Sequence, residues 1–85
     1  MKSLTTPDFW ASYAALPPAI KARANIAYRL WQKNPRHPSL CFKKTGENWS
    51  IRVGGYRALA VLEGDTFYWF WIGTHDEYVR LLSGR

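Results

Sequence analysis

Eighty-five residues make one small domain, and a core of that size gains from large side chains, here five Trp, five Tyr and four Phe. Twelve Lys and Arg against six Asp and Glu leave a net charge of +6, which favours a polyanionic partner, nucleic acid ahead of a membrane surface. A lone cysteine, Cys41, excludes a disulfide framework and a paired-cysteine metal motif. Met1-Lys2 runs into Thr5-Thr6-Pro7-Asp8 without the apolar stretch of a signal peptide. The longest apolar run, Phe67 to Ile72, is too short to span a bilayer. The expectations are one domain over residues 1–85, a cytoplasmic address, no membrane, no cofactor and no metal.

Thr6-Pro7 reads as a helix N-cap followed by proline at the first helical position, and Phe9, Tyr13 and Leu16 then fall on one stripe. Leu16-Pro17-Pro18 stops this short helix and opens a longer one, about Pro18 to Lys33, with Ile20, Ala24, Ala27 and Trp31 on its apolar side. Lys21, Arg29 and Lys33 lie opposite. Asn34 to Pro38 is loop, because two prolines three apart cannot continue a helix. Leu40 to Lys44 begins a first strand, and Thr45-Gly46-Glu47-Asn48 is a turn. Cys41, with no base near it in sequence, is expected to be a small buried residue.

The stretch from Trp49 to Tyr78 holds three more strands joined by short turns. Gly54-Gly55 and Gly64-Asp65 both suit two-residue hairpin loops. With both loops at that length, Val53 pairs with Tyr56, Arg52 with Arg57 and Ser50 with Leu59. In the next hairpin Glu63 pairs with Thr66, Val61 with Tyr68, Leu59 with Phe70 and Arg57 with Ile72. Alternation then places Ser50, Arg52, Arg57, Leu59, Val61, Tyr68, Phe70 and Ile72 on one face. Trp49, Ile51, Val53, Tyr56, Ala58, Ala60, Leu62, Phe67, Trp69 and Trp71 take the other, which is almost wholly apolar and must be covered. A one-residue slip exchanges the two sets.

Thr74-His75-Asp76-Glu77 has the form of a capping box and starts a C-terminal helix. The architecture expected is α+β: two N-terminal helices packed on a four-stranded antiparallel sheet, followed by a short C-terminal helix, in the order ααββββα. Its geometry gathers Arg52, Arg57 and His75 at one corner. Two arginines directly across a strand pair repel unless an anion is expected between them. Histidine is the side chain suited to proton transfer near neutrality, and free amides of a helix start favour a phosphate. The chemistry indicated is the gripping and cleaving of RNA.

This order, and the phrases that carry it, resemble the RelE/ParE toxin superfamily of bacterial toxin–antitoxin systems. The likeness runs nearly the full length, through Leu16-Pro17, Asn34-Pro35 to Leu40, Trp49-Ser50-Ile51-Arg52-Val53, Gly55-Tyr56-Arg57 and Ile72-Gly73-Thr74-His75-Asp76-Glu77-Tyr78. The resemblance implies the toxin of a type II system, a metal-independent, ribosome-dependent mRNA endoribonuclease that inhibits translation. In such enzymes the 2′-hydroxyl attacks the adjacent phosphate and leaves a cyclic phosphate. By motif, Arg57 would stabilise the charged transition state, with Arg52 facing the same phosphate, His75 as acid or base and Tyr78 as the C-terminal tyrosine. Lys43, Lys44 and Ser50 would contact RNA or rRNA; Ser50 stands where some members have lysine. The partners implied are mRNA, the ribosome and a cognate antitoxin, in a hetero-oligomer. Leu59, Val61, Tyr68 and Phe70 are the expected antitoxin contacts. A non-catalytic DNA gyrase poison of the ParE kind and a plain RNA-binding module remain alternatives.

Overall fold

The computed structural model describes residues 2–83. It begins with a strand that composition did not announce, β1 (Lys2–Thr5), before helices α1 (Pro7–Ala14) and α2 (Pro18–Lys33). Strands β2 (Lys43–Thr45), β3 (Asn48–Val53), β4 (Tyr56–Glu63) and β5 (Thr66–Thr74) follow, and helix α3 (His75–Ser83) ends the described chain. The sheet order is β1-β5-β4-β3-β2, with β1 parallel to β5 and every other pair antiparallel. The sheet is therefore five-stranded and mixed, not four-stranded and antiparallel. A strand of four residues between a start and a helix N-cap shows too little alternation to be read from sequence.

Both helix starts form as their residues dictate. The Thr6 hydroxyl accepts from the Phe9 amide at 3.2 Å, and proline occupies the first turn of each N-terminal helix. Ala24, Ala27 and Trp31 of α2 are buried against the sheet. Between α2 and β2 the chain differs from the expected strand. Pro38–Leu40 is a single 3₁₀ turn, and Cys41 follows at φ 46° in the left-handed region. Cys41 is exposed, not buried, because that reversal turns it outward while Leu40 takes the core position at 1% exposure.

Trp31 is the hub of the core. It meets Phe42, Phe67 and Trp69 edge to face at centroid distances of 5.7, 5.3 and 5.2 Å and stacks on Tyr28 at 6.1 Å. Such perpendicular pairs add attraction beyond the area they bury. Phe42, Trp49 and Phe67 extend the cluster toward β2.

Both hairpin turns form as expected, with Val53 opposite Tyr56 and Glu63 opposite Thr66. Gly54 and Gly64 adopt φ near +60°, which the tight loops require. The β4–β5 register holds from Glu63–Thr66 to Ala60–Trp69, then shifts: Leu59 faces Trp71, Ala58 faces Ile72 and Arg57 faces Gly73. Phe70 is the additional residue of a β-bulge. The expected pairs Leu59–Phe70 and Arg57–Ile72 are displaced accordingly. Ile72 joins the core beneath α1 and α2, and Trp71 moves to the face of Leu59 and Arg57. Helix α1 closes the irregularity. The Ser12 hydroxyl accepts from the Ile72 amide at 3.1 Å, and the Thr6 amide and hydroxyl both donate to the Trp69 carbonyl at 3.1 Å.

Trp31→Ala removes the hub and leaves a large void. The expected loss is about 3–5 kcal/mol of unfolding free energy, read from urea denaturation.

Candidate functional site

Two rows of residues cross the sheet on the face away from α1 and α2. One runs Lys43, Ser50, Leu59, Trp71; the other runs Arg52, Arg57, Gly73. Strand register thus sets the two arginines directly across from one another, as expected. On the far side of Arg57 the cross-strand neighbour is Gly73, which the bulge has brought into that place. An added Cβ at Gly73 would lie 2.4 Å from Trp71 Cζ2 and 2.7 Å from Glu77 Oε1. The Trp71 ring and the Glu77 carboxylate therefore close over the glycine.

Helix α3 folds back over the first row. Tyr78 is 6% exposed; its hydroxyl lies 3.5 Å from Ser50 Oγ, long for a hydrogen bond, and its ring centroid is 5.7 Å from the Arg57 guanidinium carbon. The His75 ring is 5.8 Å from that of Tyr78. Arg57, His75, Tyr78 and Ser50 thus meet at one corner, with Arg52 next to them by register. Arg57 is half-buried and donates from Nη1 to the Tyr56 carbonyl at 3.2 Å; Arg52 and His75 are exposed.

The corner is held by backbone. The His75 amide donates to the Gly55 carbonyl of the β3–β4 turn at 3.1 Å. The capping box forms in both directions: the Thr74 amide donates to Glu77 Oε1 at 2.9 Å, and the Glu77 amide to Thr74 Oγ1 at 3.1 Å. These bonds engage amides that the bare helix start would have offered to a phosphate, so cations and not helix amides carry the attraction for anions here. Among the described residues the only ion pair is Lys2–Asp65, at 3.8 Å, in the strand and turn at the far end of the sheet. Arg52 and Arg57 have no carboxylate partner within that set. Also among the described residues, no three His, Cys, Asp or Glu side chains group to hold a metal ion, and no helix is long and apolar enough to cross a membrane.

The remaining candidates divide. Lys43 is opposite Ser50 and shares the arginine face, whereas Lys44 is opposite Trp49 and belongs to the other face. Leu59 is 1% exposed under α3 and is not open to a partner, while Val61, Tyr68 and Phe70 stay half-buried. Leu59, expected among the antitoxin contacts, is instead covered within the chain, where α3 packs on β4 and β5. Trp71 was missed at the site because its place depends on a bulge that alternation cannot show.

No protein-family model matches the sequence, and no curated protein matches it significantly. Solved structures do. The chain superposes on the RelB–RelE antitoxin–toxin complex from Methanococcus jannaschii with a TM-score of 0.73 at 21% identity, covering 92% of this chain and 96% of that one. The fold is that of the RelE toxins. The archaeal RelE–RelB complex from Pyrococcus horikoshii gives a TM-score of 0.62 at 16% identity, covering 86% of this chain and 92% of that one. The isolated E. coli RelE toxin gives 0.62 at 11% identity, with coverages of 94% and 96%. On this RelE fold the Arg57 corner lies where the last long strand passes into its C-terminal helix.

Two outcomes test the corner. Gly73→Ala forces the half-buried Trp71 ring aside, and a loss of about 1–3 kcal/mol is expected by urea denaturation, with an altered tryptophan emission. Hydrogen bonds from the Thr74 amide and hydroxyl hold the Glu77 carboxyl below its ordinary value of 4.5, with a smaller pull from Arg80. A carboxyl depressed by folding stabilises the fold above its unfolded value and loses that contribution as pH falls through the folded one. The melting-temperature gap between wild type and Glu77→Gln is therefore expected to be open at neutral pH and to narrow as the pH drops below about 4.5.

Proposed function

We propose that this chain is a toxin of the RelE/ParE superfamily that cleaves mRNA on the ribosome without a metal. The observation that carries this reading is the Arg57 corner. Two arginines face one another, neither ion-paired to a carboxylate among the described residues, and a histidine and a tyrosine close the same corner. Such an arrangement is costly in isolation and becomes favourable when a phosphodiester lies on it.

In the reaction the 2′-oxygen attacks the adjacent phosphorus, the bond to the 5′-oxygen breaks, and a cyclic phosphate and a free 5′-hydroxyl result. Negative charge grows on the phosphoryl oxygens, where the Arg57 and Arg52 guanidiniums meet it. His75 exchanges protons with the attacking or leaving oxygen. Tyr78 packs on Arg57 and His75 and holds both in place. Lys43, on the same face, binds a neighbouring phosphate. Lys44, on the other face, is left to a separate strand such as rRNA, and Ser50 acts through Tyr78.

The partner of this reading is an antitoxin protein, as in the RelB–RelE complexes the fold resembles. Its contact surface is Val61, Tyr68 and Phe70, continued by Val79 and Leu81, whose side chains are exposed on α3. Leu59 drops out of that surface because α3 covers it.

Induction in a bacterial host, followed by primer extension on an abundant mRNA, tests the activity. Discrete cuts are expected from wild type, reduced about 10²–10³-fold in Arg57→Ala. Growth arrest with intact mRNA and a DNA-damage response would overturn the ribonuclease reading in favour of a gyrase poison.

A further inference from the structure

A second concave site lies beside the corner, between α2 and the β3–β4 turn. It has a volume of about 220 Å³, and its lining includes Arg23, Ile26 and Leu30 of α2 together with Ser39, Arg52 and Gly54. Three observations point to an occupant. Arg23 leans over the turn so closely that an added Cβ at Gly54 would be 2.6 Å from Nη1, yet no ion pair is recorded for it among the described residues. Ile26 is 63% exposed, an apolar side chain standing in water beside two cations. Arg52 belongs both to this cavity and, by register, to the Arg57 corner. It can do so because β2 ends its pairing at Ser50, so β3 is an open edge from Ile51 onward.

We propose that this cavity is a nucleotide subsite for the RNA residue next to the scissile phosphate. Arg23 and Arg52 bind the phosphate of that nucleotide, and its base lies against Ile26 and Leu30. An apolar floor with guanidiniums at its rim suits a splayed-out base of single-stranded RNA, which offers a flat face and a phosphate together. Because Arg52 touches both sites, the chain of the substrate crosses the end of the β3–β4 hairpin, from α2 to the start of α3. This subsite deepens the ribonuclease reading and rests on it for the direction of the RNA.

The test separates binding from cleavage. A fluorescein-labelled 2′-O-methyl oligoribonucleotide, which cannot form the cyclic phosphate, is titrated by anisotropy over a range of KCl concentrations. Arg23→Ala is expected to weaken binding and to reduce the slope of log affinity against log salt by about 0.7, the value for one phosphate contact on a single strand. Arg29→Ala, which removes the same charge from an exposed α2 position outside the cavity, is expected to leave the slope unchanged. Ile26→Asp guards against misfolding, since its site is exposed; it should weaken binding, whereas Gln32→Asp, adding the same charge elsewhere on α2, should not.

If Arg23→Ala matches Arg29→Ala, or Ile26→Asp matches Gln32→Asp, the subsite is overturned. Failure of wild type to bind the oligonucleotide overturns it too, and would leave the two arginines to an acidic protein partner. Cellular mRNA cuts with no difference between the paired variants would sink the subsite alone. Paired differences without any cuts would sink the ribonuclease reading and keep the nucleotide site.

Discussion

One additional residue in β5 decides how this molecule uses its two faces. At Phe70 the strand bulges, and α1 meets the disturbed backbone with the Ser12 hydroxyl on the Ile72 amide and the Thr6 amide on the Trp69 carbonyl. Backbone groups that a bulge frees from the ladder must find partners, and here a helix supplies them. With that accommodation, Trp69 and Ile72 both point into the aromatic core around Trp31, although they are three residues apart. Without the bulge, strict alternation would bury Trp71 in place of Ile72 and put a bulky side chain beside Arg57.

The same shift explains why a basic corner can exist on so small a sheet. Cross-strand arginines are normally avoided. Here the row that holds them ends in glycine, Tyr78 offers its ring to Arg57, and the Glu77 carboxylate over that glycine is engaged by the Thr74 amide and hydroxyl. Glu77 shapes the start of α3 and leaves the guanidiniums unneutralised. Structural and electrostatic needs are kept apart within one turn of helix.

Much of this was legible in the residues. Proline and glycine placed both N-terminal helices and both hairpin turns, because these residues restrict φ and ψ locally and independently of the rest of the chain. The Arg52–Arg57 pairing followed from the first turn alone, and the capping box from four consecutive residues. What escaped depends on distant parts of the chain. β1 is a strand only because β5 lies alongside it, and the bulge at Phe70 exists only because α1 can satisfy it. Nothing in the residues singles out Arg23, since its closeness to Gly54 joins residues thirty-one apart in sequence. Family likeness named the same corner from its phrases, while the division of Lys43 from Lys44 and the burial of Leu59 needed the actual register and the actual path of α3.

The pairing of β1 with β5 also has a temporal side. Among the described residues, residues 2–5 pair with residues 66–69 alone, and α1 docks on the same late strand. Contacts so far apart in sequence form slowly, since a long loop must close before they repay its entropy. During synthesis the first helix therefore waits, undocked, until β5 has been made. The basic corner needs residues 52 to 78 together, so a chain that stops before Tyr78 would leave the apolar row at Leu59 without the helix that covers it.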